Sequence, residues 1–373
     1  MKAGAFSLMQ WPEGRSQEDV YRNELAQLVE GEELGFDSAW FGEHHFSRYG
    51  INPSIHLTLA YLAAATKRIR IGSSIVIAPL YKPLRLVEEA AQLDLMSGGR
   101  FEWGLGRGYQ GHEFKAYETD IAQTRDMVDD LLGLMDAAWS VGPDEPVSYD
   151  GRYTHIDNVK VEPHPLQSPL PVAVAAVTPV SVQWVAEKGL AFMADQFQGA
   201  DRLVAAHREW DAAMLAAGHD PRAVSTKALR QVFVADSEEE AREIAKPALL
   251  WYFRSVAAVA NPAGAKPGER GGELPDSYAQ WASMLEGLAF VESDPEAFCE
   301  QLFETSAICG PPEYVLERLK VLADAGYDEV ISWHNYGSMS HENARSSMKR
   351  FAADVLPELA RMERGAPAPQ VAA

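Results

Sequence analysis

Short strand-like runs alternate with amphipathic helical stretches along almost the whole chain, and this alternation constrains the fold more than any other feature. The strand-like runs begin near residues 3, 38, 69, 101, 171, 190, 227 and 328. Repeated β-α units are typical of a parallel sheet whose strands are connected by helices. Eight such strands predict an α/β fold of the TIM (β/α)8 barrel type. An open doubly wound sheet is the alternative, and it is disfavoured because no G-x-G-x-x-G follows the first strand.

Three segments depart from this pattern. Residues 147–163, VSYDGRYTHIDNVKVEP, alternate around an Asp-Gly turn, which predicts an antiparallel hairpin inserted at about 145–165. Residues 261–277, NPAGAKPGERGGELPDS, fit neither period and predict either a mobile lid over about 261–290 or a passive loop. We therefore expect one barrel domain over residues 1–363, followed by a disordered tail at 364–373.

Charge and composition narrow the classes of partner. The 373 residues carry 33 Lys and Arg against 54 Asp and Glu, a net charge of −21, so phosphate-rich nucleic acid and anionic membranes would be repelled. No apolar run is long enough to span a bilayer. The two cysteines have neither disulfide-framework nor metal-type spacing, which favours a reducing cytoplasm. We expect a cytoplasmic protein without a structural metal.

The segment WFGEHHF at 40–46 places Glu43, His44 and His45 at the end of the second predicted strand. In a barrel, reactive groups lie at the C-terminal ends of the strands. Adjacent side chains on a strand point in opposite directions, so one metal ion could not easily take both rings. A histidine directed into the barrel mouth can act as an acid or a base near neutral pH. The structural alternative is that His45 anchors the loop and His44 is a surface group.

Two further motifs follow neighbouring strands. GLGRGYQG at 104–111 would let the backbone approach a ligand while Arg107 grips a phosphate. In TPVS at 178–181, Thr178 and Ser181 begin a predicted helix, whose free N–H groups favour an anion. Together they predict a phosphate clamp. Aromatic residues at strand ends could wall off a pocket or simply pack against neighbours; they are Trp11, Tyr109, Trp333 and Tyr336.

With these motifs assembled, the chain resembles the bacterial luciferase-like, flavin-dependent monooxygenases, most closely the luciferase α subunits. The resemblance covers nearly the whole length, in family order. It rests on the segments GFDSAWFGEHHF, ATKRIRIGSSIVIAP, YKPLRLVEEAAQLDLMSGGRF, WGLGRGYQGHEF and SMKRFAADVLPEL.

The resemblance implies a barrel that binds reduced FMN, which reacts with O2 to form a flavin C4a-hydroperoxide that oxygenates a small apolar organic substrate. It implies that His44 is catalytic, with Glu43 and His45 beside it near the flavin. Arg107, Thr178 and Ser181 match positions that hold the FMN phosphate, and Ser74 and Ile75 match a non-proline cis peptide against the isoalloxazine ring. A separate NAD(P)H:flavin reductase would supply reduced FMN, and relatives suggest a homodimer or heterodimer.

Departures from the luciferases narrow the expected activity. Gly106 stands where the luciferase α subunit has a reactive cysteine, and Val177, in the cofactor-binding segment, stands where it has a glutamate. These differences argue against light emission and against a long-chain aldehyde substrate. Two alternatives remain at this point: an F420-dependent oxidoreductase on the same barrel, which EHHF disfavours, and a non-catalytic flavin-binding partner subunit.

Overall fold

The computed structural model describes residues 1–176, 178–259, 278 and 290–365. The strands are β1 (Lys2–Ser7), β2 (Ser38–Phe41), β3 (Arg70–Ser73), β4 (Val76–Ile77), β5 (Phe101–Gly106), β6 (Val147–Asp150), β7 (His155–Val159), β8 (Val172–Ala175), β9 (Ala191–Ala194), β10 (Lys227–Val234), β11 (Ile308–Gly310) and β12 (Glu329–Trp333). The helices are α1 (Gln17–Leu34), α2 (Ile55–Ala65), α3 (Pro83–Ser97), α4 (Gly111–Ala116), α5 (Thr124–Trp139), α6 (Pro179–Glu187), α7 (Ala200–Ala216), α8 (Glu238–Val259), α9 (Phe290–Ser293), α10 (Pro295–Thr305), α11 (Pro312–Ala325), α12 (His341–Arg350) and α13 (Leu356–Leu359).

Eight parallel strands close into a barrel, which confirms the predicted fold. Starting from β1, the order is β2, β3, β5, β8, β9, β10 and β12, and β12 pairs with β1 again. The predicted strand that begins near residue 69 is interrupted: β3 ends at Ser73, the Ser74–Ile75 peptide is cis, and β4 continues alongside β5. The carboxyl ends of all eight strands therefore open onto one face, where a barrel carries its reactive groups.

The structure contains the predicted hairpin but describes almost none of the predicted lid and tail. The hairpin expected at about 145–165 is present as β6 and β7, paired antiparallel between Val147 and Val159. The predicted lid at about 261–290 lies outside the described residues except at Tyr278 and Phe290, and the predicted tail does so except at residues 364–365.

Strand β10 changes partner along its length. Its first residues, Lys227 and Ala228, pair with β9, whereas Val232–Val234 pair with β11. Strand β9 stops at Ala194, so the upper half of β10 has no β9 partner.

The sequence did not predict β11 or α10, because these short segments follow the irregular region at 261–277.

Helix ends follow the local signals in the sequence. Ser16 caps α1 by accepting a hydrogen bond from the Asp19 N–H, and Gly35 ends it at φ 92°. Gly326 ends α11 in the same left-handed conformation. The final helical segment, from His341 to Leu359, is divided by one π-helical turn at Phe351–Val355. Within the described part of the chain, no helix combines the length and hydropathy needed to cross a bilayer.

The interior of the barrel is apolar at mid-height and charged at its N-terminal end. Phe6, Met193, Leu229 and Trp333 fill the middle in one buried cluster. Below them, the Lys227 ammonium lies 3.0 Å from Oε2 of Glu102. Burial opposes the charge of Glu102, but the attraction of Lys227 and Arg70 is stronger and lowers its pKa to about 2. Glu329 accepts hydrogen bonds from Ser38 and Trp40, so this end of the barrel is closed by mutually satisfied polar groups.

Candidate active site

A cleft with about 190 Å³ of accessible space opens at the C-terminal ends of the strands. Nine of the residues that the sequence singled out line it: Glu43, His44, Ser74, Ile75, Arg107, Tyr109, Thr178, Ser181 and Trp333. They come from five different β-α connections or strands, so the closed barrel is what brings them together. Among the described residues, no three His, Cys, Asp or Glu side chains assemble into a group that could hold a metal ion.

Three other predicted site residues lie away from the cleft wall, and one cannot be placed. The Trp11 indole donates to the Arg15 carbonyl and carries the Arg48 guanidinium on its ring face. Tyr336 is fully buried, with its hydroxyl beside Cys309. His45 is buried behind its neighbour. Val177 lies outside the described residues.

The His44 ring is fixed on three sides. Its Nδ1 lies 3.0 Å from Oε1 of Glu113, on α4. Because a carboxylate only accepts, Nδ1 carries the shared proton and Nε2 is left facing the cleft. The ring packs edge-on against Tyr49 and Tyr109, with ring centroids 4.7 Å and 5.5 Å away. This arrangement presents one defined nitrogen for proton exchange.

His45 and Glu43 form a second, deeper chain. Nε2 of His45 donates to Oε1 of Glu43 over 2.9 Å, and the Tyr117 hydroxyl lies 3.1 Å from Nδ1 of His45. The other Glu43 oxygen accepts the N–H of Ile77, 3.0 Å away. The Glu43 carboxylate thus ties the histidine segment to the strand that follows the cis peptide.

Close packing explains the glycines between β5 and α4. Residues 106–111, GRGYQG, have the G-x-G-x-x-G spacing, but the first two glycines are packed against strand β4 and its cis segment. A Cβ at Gly106 would lie 2.5 Å from Ile75 Cδ1, and one at Gly108 would lie 2.7 Å from Ile77 Cγ2. Gly108 also has φ 74°, a conformation that glycine adopts without strain. These glycines let the loop lie flat beside the cleft.

One end of the cleft is cationic. Arg107 and Arg125 both line it, and burial lowers the pKa of each guanidinium. The Arg107 charge lowers the pKa of Arg125 further, because two like charges lie close together. Thr178 caps α6 by accepting the Ser181 N–H over 3.1 Å, so the positive end of that helix also faces this region. Two cations beside a helix N-terminus favour a bound anion.

A chain of tyrosine hydroxyls begins at the cleft wall with Tyr109 and Tyr49 and leads to the buried Tyr252. The Tyr109 hydroxyl donates to that of Tyr49 over 3.0 Å, and the Tyr49 and Tyr252 hydroxyls lie 3.2 Å apart. The Gln196 amide N–H donates to Tyr252. Nε2 of His44 lies 3.5 Å from the Tyr109 hydroxyl, which joins the chain to the histidine.

Several of these residues escaped the sequence reasoning. Arg125 lies on α5, whose most visible sequence signal is the helical spacing of apolar residues that pack into the core. Tyr49 and Glu113 lie several residues beyond a strand end, and Tyr252 lies within α8. Tyr49 meets Tyr252 across 203 residues of sequence. One signal was available in the sequence: Arg125 lies in the first turn of α5, where a positive charge is unfavourable beside the helix dipole. A cation at that position indicates a local role such as binding an anion.

Comparison with known proteins gives relatives that span more than nine-tenths of the chain. The family model described as luciferase-like monooxygenase matches residues 1–329. The alkanal monooxygenase alpha chain of the Kryptophanaron alfredi symbiont is 26% identical over 361 residues, covering 96% of this chain and 98% of the relative. The oxygenase component of the flavin-dependent trigonelline monooxygenase of Acinetobacter baylyi is 27% identical over 356 residues, covering 92% and 91%.

Solved structures share the fold. The oxygenating constituent of 3,6-diketocamphane monooxygenase from Pseudomonas putida, in complex with FMN, superposes with a TM-score of 0.73 at 21% identity, covering 96% of this chain and 98% of the other. The coenzyme F420-dependent tetrahydromethanopterin reductase of Methanopyrus kandleri gives 0.71 at 18% identity, covering 96% and 99%. With a family model that matches most of its length, the chain belongs to the luciferase-like family of flavin-dependent monooxygenases.

Proposed function

We propose that this chain is the oxygenase component of a two-component monooxygenase that uses reduced FMN and O2 to oxygenate a small, largely apolar organic molecule. One observation carries the proposal. A single cleft has a cationic, helix-capped end and, across an apolar middle, a histidine whose orientation is fixed.

The residues of the cleft fit FMN. Its phosphate would lie between Arg107 and Arg125, where it would relieve the repulsion that lowers the pKa of Arg125. Thr178 and Ser181 would add hydroxyl and N–H contacts at the start of α6. The flavin ring would lie over the apolar floor between these groups and His44, formed by Ile75, Gly106, Val174, Ala175 and Met193. The Ser74 hydroxyl already lies against that floor, 3.0 Å from the Met193 sulfur.

When bound, reduced FMN would supply the electrons that activate O2. The chain itself would bind and orient the cofactor, exclude water with its apolar walls, and hold or release a proton at Nε2 of His44. Glu113 would stabilise the His44 ring when it carries a second proton, because its carboxylate lies 3.0 Å from Nδ1.

The remaining parts of the proposal concern partners. Reduced FMN would come from a separate NAD(P)H:flavin reductase, consistent with relatives named as an oxygenase component and an oxygenating constituent. Dimer formation and a cytoplasmic location stay predictions from the sequence.

The test compares cofactors before it compares substrates. The purified chain is titrated with FMN, reduced FMN and reduced F420 under anaerobic conditions, followed by flavin and deazaflavin fluorescence. The complexes are then exposed to ¹⁸O₂ with a panel of ketones, phenols and aldehydes. We expect binding of reduced FMN and a product that contains one ¹⁸O atom.

Binding of F420 in preference to both flavins would contradict the proposal, as would reduced FMN binding without labelled product across the panel. A matched pair of variants locates the site. Arg125→Met should weaken FMN binding, whereas Arg152→Met, on the exposed hairpin, should leave it unchanged.

A further inference from the structure

The chain of tyrosine hydroxyls beside the cleft determines which hydrogen-bond partner is available to Nε2 of His44. Tyr109 has one hydroxyl proton, and it goes to the Tyr49 oxygen, 3.0 Å away. Tyr109 therefore cannot donate to Nε2, which lies 3.5 Å from its oxygen. Nδ1 of His44 shares its proton with Glu113, so Nε2 of the neutral ring keeps a lone pair that accepts no hydrogen bond from Tyr109. When Nε2 is protonated, it can donate a hydrogen bond to the Tyr109 oxygen.

Beyond Tyr49, the hydrogen bonds of the tyrosine hydroxyls run in the same direction. An oxygen that accepts from Tyr109 leaves Tyr49 its own proton for Tyr252, at 3.2 Å. Tyr252 is fully buried and also accepts from the Gln196 amide. Burial raises the pKa of all three tyrosines, so the hydroxyls keep their protons near neutral pH. The chain is thus a set of neutral dipoles whose direction is fixed by its neighbours.

We propose that Tyr49 and Tyr252 are positioning residues for His44: by drawing the Tyr109 proton away, they keep Nε2 free to exchange a proton with the reacting molecule. The exchange moves one proton only, from Nε2 to that molecule or back. Its kinetic consequence rests on the proposed function, whereas the hydrogen-bond pattern does not.

Other charged or titratable groups around His44 do not replace this effect. Glu113 faces Nδ1 and not Nε2, and Glu43 is taken up by His45 and the Ile77 N–H. Arg107 and Asp195 line the same cleft but have no hydrogen bond to the ring among the described contacts.

The test is the ¹⁵N resonance of Nε2 in histidine-labelled protein without flavin, recorded at a pH where the ring is neutral and assigned by comparison with His44→Gln. We expect the wild-type Nε2 to have the shift of a bare, unprotonated nitrogen. In Tyr49→Phe, the Tyr109 hydroxyl turns to Nε2, and the resonance moves upfield to the range of a hydrogen-bonded acceptor. Phenylalanine keeps the ring contact with His44, so the fold has no reason to change.

A double variant separates this effect from a loss of packing. Tyr49→Phe/Tyr109→Phe removes the donor that covers Nε2, and its resonance should return to the wild-type position. Tyr252→Phe provides an independent route, since a Tyr49 proton without its acceptor turns back towards Tyr109 and moves the Nε2 shift in the same upfield direction. An Nε2 resonance unchanged in both single variants, or still shifted in the double variant, overturns the proposal.

Kinetics give the second measurement. Tyr49→Phe should lower kcat about tenfold at unchanged KM, the scale of one misplaced hydrogen bond, and the double variant should recover part of that loss. A rise in KM together with a fall in kcat in all variants would indicate damaged packing and count against positioning. If no variant or wild type turns over any substrate, the oxygenase proposal fails, while the NMR result still decides the role of the tyrosines.

Discussion

The two ends of the barrel use polar groups in opposite ways. At the N-terminal end, Glu102 pairs with Lys227 and Arg70, and the buried Glu329 accepts hydrogen bonds from Ser38 and Trp40. The Lys227 charge also attracts the Glu329 carboxylate. At the C-terminal end, Arg107 and Arg125 lie near each other, and one oxygen of the buried Glu113 has no hydrogen-bond partner among the described residues.

The groups that stabilise the fold and the groups available for function therefore lie at opposite ends of the barrel. Charges that neutralise each other inside a protein hold the fold together, because removing any one leaves the rest uncompensated. Charged groups that line an open cleft, such as Arg107 and Arg125, are instead available to a ligand. The same eight strands supply both ends, so substitutions at the two ends should affect different measurements.

The largest effect is expected at the C-terminal end. His44→Ala should lower kcat by roughly 10²–10⁴-fold, the usual contribution of a positioned acid or base, while the melting temperature stays close to wild type. Steady-state kinetics and a thermal scan measure the two quantities. His155→Ala, on the exposed hairpin, is the matched control, and normal turnover in His44→Ala would remove that residue from the chemistry.

The N-terminal end should show the reverse. Lys227→Met leaves Glu102 and Glu329 without their shared cation and should lower the free energy of unfolding by about 3–5 kcal/mol. Urea denaturation measures the loss, and FMN binding by the folded fraction should be unchanged. Lys320→Met, in an exposed pair with Asp324, should cost less than about 1 kcal/mol. Equal losses in the two variants would refute the contrast between the ends.

Arg125 tests the cationic end of the cleft. Arg125→Met removes one charged donor to the phosphate and should weaken FMN binding by about 1.5–3 kcal/mol, roughly 10- to 150-fold in Kd. Fluorescence titration at two salt concentrations measures the affinity. Riboflavin, which lacks the phosphate, should bind the variant and the wild type alike. A riboflavin affinity that falls in parallel would place Arg125 elsewhere.

The smallest effects concern pH and come from two buried groups near the C-terminal end. Burial lowers the pKa of His334 to about 3, so the folded state resists a proton that the unfolded chain takes up. Its contribution to stability is present above pH 6.5 and is lost on acidification towards pH 3, at up to about 1.4 kcal/mol per pH unit. The unfolding free energy measured between pH 7 and 5 should lose this slope in His334→Asn.

The titration of Glu24 changes the free energy of unfolding with the opposite sign, over a pH range that overlaps that of His334. Burial raises its pKa to about 7, against the hydrogen bonds from Ser7 and Met9. Its stabilisation is therefore fully present below pH 4.5 and is lost as the pH rises through 7. Between pH 4.5 and 6.5 the two groups offset each other, so His334→Asn and Glu24→Gln should change the slope of unfolding free energy against pH with opposite signs. Slopes of the same sign would be inconsistent with this assignment.

The sequence predicted the repeating parts of the fold well and the long-range parts of the site poorly. The barrel strands and the ends of α1 and α11 carry local signals, namely strand composition, Ser16 as a cap, and Gly35 and Gly326 as stops. Residues at strand ends such as His44 could also be predicted, because the barrel rule places them at one face.

Contacts between distant segments carry no such signal. The pairing of His44 with Glu113 and the meeting of Tyr49 with Tyr252 depend on how α4 and α8 pack over the barrel mouth. Trp11 and Tyr336 also follow strands, yet their side chains turn towards Arg48 and Cys309 instead of the cleft. The position of a residue in a strand fixes its height in the barrel, but the direction of its side chain after the strand depends on the loop.

The partner change along β10 has a consequence for how this enzyme could acquire new substrates. Above Ala194 no ladder joins β9 to β10, so the cleft residues 195–197 are held by loop contacts and not by a strand register. Substitutions or short insertions there would reshape the pocket without shifting any strand by a residue. Residues 195–197 are thus a part of the cleft wall that selection, natural or directed, can alter while the cationic end of the cleft and His44 keep their geometry.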